Sequence, residues 1–151
     1  MKNLRLGFSL YGVIIAVLQM IPNIIWALFP PSKNRLEGNV SSNMIIEYGE
    51  HILGVSIIIL LIFLVVKGQE FKLPKNKWAH FSYIGIAIYW LCWVLYFMHI
   101  QYLPIIYLMV IIPPIAFFFA GMAEKVYPIS ILSLIFLFFH LSVALENFPI
   151  R

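Results

Sequence analysis

No aspartate occurs anywhere in the 151 residues of this chain. Its absence removes aspartyl-phosphate chemistry and most proton relays built on aspartate. Charge of either sign is scarce, at 11% of residues, against about 25% in an ordinary soluble domain. A water-soluble chain of this length would cover its core with charge, and this one has too little to do so. Cys92 is the sole cysteine and lies in an apolar run. An intrachain disulfide is therefore excluded, and cysteine usage does not report the redox compartment. The chain also lacks Gly-x-Ser-x-Gly, a Walker loop, a dinucleotide fingerprint and His-Glu-x-x-His, and no two histidines are four residues apart. These gaps leave no catalytic residue, cofactor or dedicated metal site to be read from motifs.

What the chain has is apolar length. Hydrophobic residues make up 63% of it and the mean hydropathy is +0.97, which makes lipid its natural solvent. Five runs are long enough to cross a hydrocarbon core of ~30 Å as helices. They are Leu6–Phe29, Met44–Val66, Trp78–Met98, Leu103–Ala123 and Val126–Glu146. The first run exceeds the ~7–15 residues of a signal-peptide core and no small-residue cleavage pair follows it, so it reads as an uncleaved span. The last two connections are so short that the third, fourth and fifth helices must be antiparallel neighbours. The expected fold is an all-α, single-domain integral membrane bundle of five transmembrane helices, without internal repeats.

Positive charge sets the expected orientation. Lys2, Arg5, Lys67, Lys72, Lys75, Lys77 and Lys125 fall on one side of a five-span chain, and Lys33, Arg35 and Arg151 on the other. Cytoplasmic loops carry the excess of Lys and Arg, so the N-terminus is expected inside and the C-terminus outside. The net charge of +4 acts here as a topology signal, and no nucleic-acid partner is expected. Trp26, Trp78, Tyr102 and Tyr127 fall near expected interfaces, whereas Trp90 and Trp93 lie inside a span and read as packing residues.

Polar residues inside the runs concentrate toward the expected outer ends. At ~1.5 Å per residue, Asn23, His51 and His140 each lie about 9–10 Å below an outer helix end. Gln19 and Asn23 share a face at four-residue spacing, as do Glu47 and His51, with Glu50 one step round. Tyr89, Trp93, Tyr96 and His99 form a stripe on the third helix, and Ser130, Ser133, His140 and Asn147 one on the fifth. Ionisable groups in a span usually turn toward the protein interior. Glu50, His51 and His140 are therefore expected to face inward and meet.

Two classes of function follow. In the first, Gln19, Asn23, Glu47, Glu50, His51, Tyr96, His99 and His140 line a pocket that binds or conducts an ion, a proton or a small lipophilic ligand. In the second, these groups are interhelical glue worth ~0.6–2 kcal/mol each. The protein would then be a non-catalytic membrane partner, an immunity or assembly subunit. A membrane-embedded metal enzyme using His51, His99, His140, Glu47 and Glu50 is a third reading. The expected partners are the lipid bilayer, a small ligand or ion, and either a second copy of the chain or another membrane protein.

The run Pro22-Asn23-Ile24-Ile25-Trp26 through Phe29-Pro30-Pro31, with Glu47 and Glu50 heading the next span, resembles a group of small bacterial polytopic membrane proteins of unknown function. The resemblance covers the first hairpin. It implies a bacterial, multi-pass cell-membrane protein and no activity. In length and span number the chain also resembles the tryptophan-rich sensory proteins, which bind tetrapyrroles and lipophilic ligands. Their early loop is rich in Trp-Pro pairs, where this chain has only Trp26 and Pro30-Pro31.

Overall fold

The computed structural model describes residues 4–150. A short strand β1 (Leu4–Leu6) leads into helix α1 (Leu10–Leu28); helix α2 (Met44–Phe63) runs into strand β2 (Leu64–Val66). Helices α3 (Lys77–Phe97), α4 (Leu103–Glu124) and α5 (Tyr127–Asn147) complete the chain. All five helices, of 19 to 22 residues, are long and apolar enough to cross a membrane. The chain is thus an all-helical bundle of the multi-pass membrane type.

Two expected spans were drawn too long. Leu6 belongs to β1 and Leu64–Val66 form β2, paired antiparallel with Leu4 opposite Val66 and Leu6 opposite Leu64. Apolar composition alone does not separate an extended residue from a helical one, and β-branched Val65 and Val66 favour the strand. The ribbon has a physical purpose. A helix ends with carbonyls that lack partners, and at membrane depth such groups must be satisfied within the protein. Here the N–H groups of Gly7 and Ser9 donate to the Phe63 and Ile62 carbonyls at 3.0 and 2.8 Å. Arg5 Nε donates to Glu70 Oε1 at 2.9 Å and clamps the ribbon from outside. The Glu70 carboxyl is held below the usual carboxylate range, first by its own backbone N–H and then by Arg5.

Local chemistry sets the helix ends. Ser9, Asn43 and Asn76 cap α1, α2 and α3 by accepting from Gly12, Ile45 and Ala79 N–H. Asn76 also donates to the Ala123 carbonyl at 2.9 Å, joining the start of α3 to the end of α4. Lys125 closes α4 in the left-handed region at φ 62°, and His99 takes the same conformation (φ 65°) just past α3.

The connections gather at two ends. The β-ribbon, the α2–α3 loop and the α4–α5 turn share the ribbon end. At the other, residues 29–43 form a strap that does not cross directly from α1 to α2. Asn34 and Leu36 bind the Tyr96 hydroxyl on α3, Arg35 binds the Gln101 carbonyl, and Ser41 and Ser42 bind Glu146 on α5. The strap therefore travels round the back of the bundle.

That route leaves α1 and α2 in close contact only at the ribbon end. There a β-carbon on Gly12 would stand 1.7 Å from the Leu61 carbonyl oxygen, so only glycine admits this approach. Farther along, α1 is tied to α3 and α2 packs on α5. Pro22 removes the donor that the Leu18 carbonyl would have used, and Trp90 Nε1 supplies one at 2.8 Å.

Candidate functional site, a cleft between α1 and α2

Where α1 and α2 part, they enclose a cleft of about 320 Å³ with lining from all five helices, near the low end of ~300–1,000 Å³ for small-molecule sites. Gln19, Met20 and Asn23 come from α1, and Glu50, His51, Gly54, Val55 and Ile58 from α2. Tyr89 of α3, Pro113 and Phe117 of α4, and Phe136 and His140 of α5 form the back wall.

Its polar groups lie toward the strap end. Glu50 and His140 Nδ1 are joined by a hydrogen bond between α2 and α5, and both side chains are largely shielded. The His140 ring stacks on Phe136 with centroids 5.0 Å apart, which fixes the imidazole plane against the carboxyl. Asn23 Nδ2 donates to the Tyr89 hydroxyl at 2.9 Å and to the Gln19 carbonyl at 3.0 Å. His51 bonds Glu47 at 3.0 Å while its own side chain remains 68% exposed, so it stands at the rim and does not turn inward to meet Glu50 and His140 as expected.

Gln19 differs from these. It is 2% exposed, yet neither atom of its amide group has a hydrogen-bond partner among the described residues. It sits beside Tyr89 without completing a bond to it. A buried polar group left unmatched costs ~1–3 kcal/mol, and native structures leave few of them.

Five of the eight residues singled out from sequence thus meet in the cleft: Gln19, Asn23, Glu50, His51 and His140. Glu47, Tyr96 and His99 lie outside it. Glu47 accepts from the Ser41 N–H at 2.7 Å, and Tyr96 is fully buried under the strap. Both hold the strap in place. His99 is the left-handed residue of the α3–α4 turn, a conformation in which histidine is enriched among non-glycines. Its backbone N–H donates to the Tyr96 carbonyl at 3.0 Å. Among the described residues, no three of His, Cys and Glu group closely enough to hold a metal.

Sequence reasoning missed Tyr89 as a lining residue, although it heads the aromatic stripe on α3. It also missed Phe136, one turn before His140, and Pro113 of α4. A second buried polar pair, Ser9 with Glu124, lies at the ribbon end. Glu124 stands one residue beyond the expected fourth span. No family model, curated protein or solved structure matches this chain.

Proposed function

We propose that this is a bacterial cell-membrane protein that binds a small ligand or a proton in the cleft between α1 and α2. One observation carries the reading: polar groups from four helices converge on a single hollow. Packing alone would have filled it, because interiors leave few voids larger than a water molecule. The Glu50–His140 hydrogen bond sets a carboxyl and an imidazole side by side in that hollow.

Removing the Glu50–His140 pair separates this reading from glue. In lipid nanodiscs Glu50→Gln is expected to stay folded, within about 1 kcal/mol, since it retains hydrogen bonding to His140. Glu50→Leu combined with His140→Leu is expected to be no less stable than the natural chain, because apolar replacement of a buried pair is often neutral or favourable by ~1–4 kcal/mol. A double variant weakened by more than about 2 kcal/mol would show that the pair holds the bundle together. The protein would then read as the non-catalytic membrane partner, a reading favoured by the structural use of Glu47, Tyr96 and Glu146.

Orientation belongs to the same proposal. The ribbon end carries Arg5, Lys67, Lys72, Lys75, Lys77 and Lys125, and the strap end Lys33 and Arg35. That balance supports a cytoplasmic ribbon end and an outward cleft. Reporter fusions after Arg151 and within residues 67–77 are expected to give opposite signals, outside and inside. A cytoplasmic signal after Arg151 overturns the assignment.

A further inference from the structure

We infer that the cleft admits its ligand sideways from the bilayer, and that this ligand is an amphiphile with an uncharged, hydrogen-bonding head and an apolar tail. The inference rests on the cleft being a binding site and adds the route and the ligand class.

The route follows from where the rim lies. Met20 and Val55 line the cleft and are also 36% and 58% exposed, so they stand at its mouth, one on each parting helix. At ~1.5 Å per residue, Met20 is about 12 Å and Val55 about 17 Å from the strap end of its helix. In a core of ~30 Å both depths are near the midplane. The mouth therefore faces acyl chains, and the strap, which runs round through α3 and α5, does not close it.

The head follows from the chemistry inside. Gln19 offers both a carbonyl and an amide N–H₂, and both are unmatched. A hydroxyl or carbonyl head, which donates, accepts or both, completes what the protein leaves open. No Lys or Arg among the described residues lines the cleft, so an anionic head would find no counter-ion there. Glu50 Oε1 is already engaged with His140, so the group left wholly open in the cleft is the neutral amide of Gln19. The tail leaves between Met20 and Val55 and stays in lipid. The small volume therefore has to hold only the head and its first carbons.

The test uses the full chain in phosphatidylcholine vesicles with three photoreactive probes of equal chain length. One is a fatty alcohol, one a fatty carboxylate and one an alkyl trimethylammonium, each with a mid-chain diazirine, and adducts are mapped by mass spectrometry. The alcohol is expected to label Met20 and Val55, at the mouth, well above Ile84 and Ile131, which are exposed elsewhere on the bundle. Gln19→Leu is expected to weaken that labelling about tenfold, the equivalent of one net hydrogen bond. It buries no new polar group, so the fold should survive. Val55→Trp is expected to block the mouth, whereas Ile59→Trp, on an exposed position outside the cleft, is not.

Even labelling across the lipid-facing surface overturns the inference, as does preference for either charged probe. Unchanged labelling in Val55→Trp overturns the lateral route. The Glu50→Leu, His140→Leu experiment keeps the two readings apart. A double variant as stable as the natural chain, without cleft labelling, removes this inference and leaves the site standing. Cleft labelling with a double variant weakened by more than about 2 kcal/mol does the reverse to the Glu50–His140 reading.

Discussion

Gly12→Ala is expected to be among the most damaging single substitutions in this protein, although it adds one methyl group. The new β-carbon would lie 1.7 Å from the Leu61 carbonyl oxygen and 2.6 Å from its carbon. Both are backbone atoms of a helix, so no flexible side chain can yield, and α1 and α2 must move apart. Overpacking typically costs ~1–3 kcal/mol, and a clash between two helix backbones belongs at or above the top of that range. The helix-propensity gain of ~1 kcal/mol for replacing glycine by alanine does not offset it. Gly54→Ala supplies the contrast, because its β-carbon would meet Phe136 at an ordinary 3.5 Å. That variant is expected to be neutral or slightly stabilised by the same propensity term. Thermal unfolding in detergent micelles compares the two. Equal melting temperatures for both variants would mean that α1 and α2 do not approach as described.

The same contact explains the cleft. Two helices pinned at one end and tied to different neighbours at the other must diverge between, and the gap is what remains. Membrane association gains little from the hydrophobic effect, since lipid is as apolar as leucine, so small residues at close approaches do much of the work. Gly12 could be seen in the sequence, but nothing in the periodicity of α2 named Leu61 as its partner.

This marks what the sequence made legible. The five spans were readable because a bilayer demands about 20 apolar residues per crossing. Glu50 and His140 were readable as partners because lipid offers neither of them one. The strap was not readable, because its route round α3 and α5 depends on single polar contacts, such as Asn34 to Tyr96 and Ser41 to Glu146. Those contacts leave no periodic signal in residues 29–43. Hence Glu47 and Tyr96, which serve the strap, looked from spacing alone like members of the pocket. His99 was misplaced for a related reason: the stripe to which it belongs in a helix stops at Phe97.

The ribbon end shows the cost of a boundary drawn one residue short. The expected fourth span ends at Ala123, one residue short of Glu124, which is 4% exposed and bonded to Ser9. Ser9→Ala is therefore expected to cost far more than a surface serine should. Ser9 Oγ accepts from the Gly12 N–H at 2.8 Å, capping α1, and donates to Glu124 Oε1. Losing the cap is worth ~0.5–2 kcal/mol. Leaving a buried carboxyl oxygen without its partner adds ~1–3 kcal/mol. The other oxygen of Glu124 already lacks a partner among the described residues, so the group has nowhere else to turn. The sum is roughly 1.5–5 kcal/mol. Glu124→Gln keeps a carbonyl oxygen for Ser9 to donate to, and its expected cost is within about 1 kcal/mol. A double-mutant cycle over Ser9→Ala and Glu124→Leu, which removes the acceptor, read by denaturant unfolding in micelles, measures the coupling between the two sites. Coupling near zero, with Ser9→Ala costing no more than a lost cap, would mean that the carboxyl does not depend on the hydroxyl. A clear coupling would show that the start of α1 is fastened to the end of α4 through this buried bond, beside the Gly12 contact that fastens it to α2.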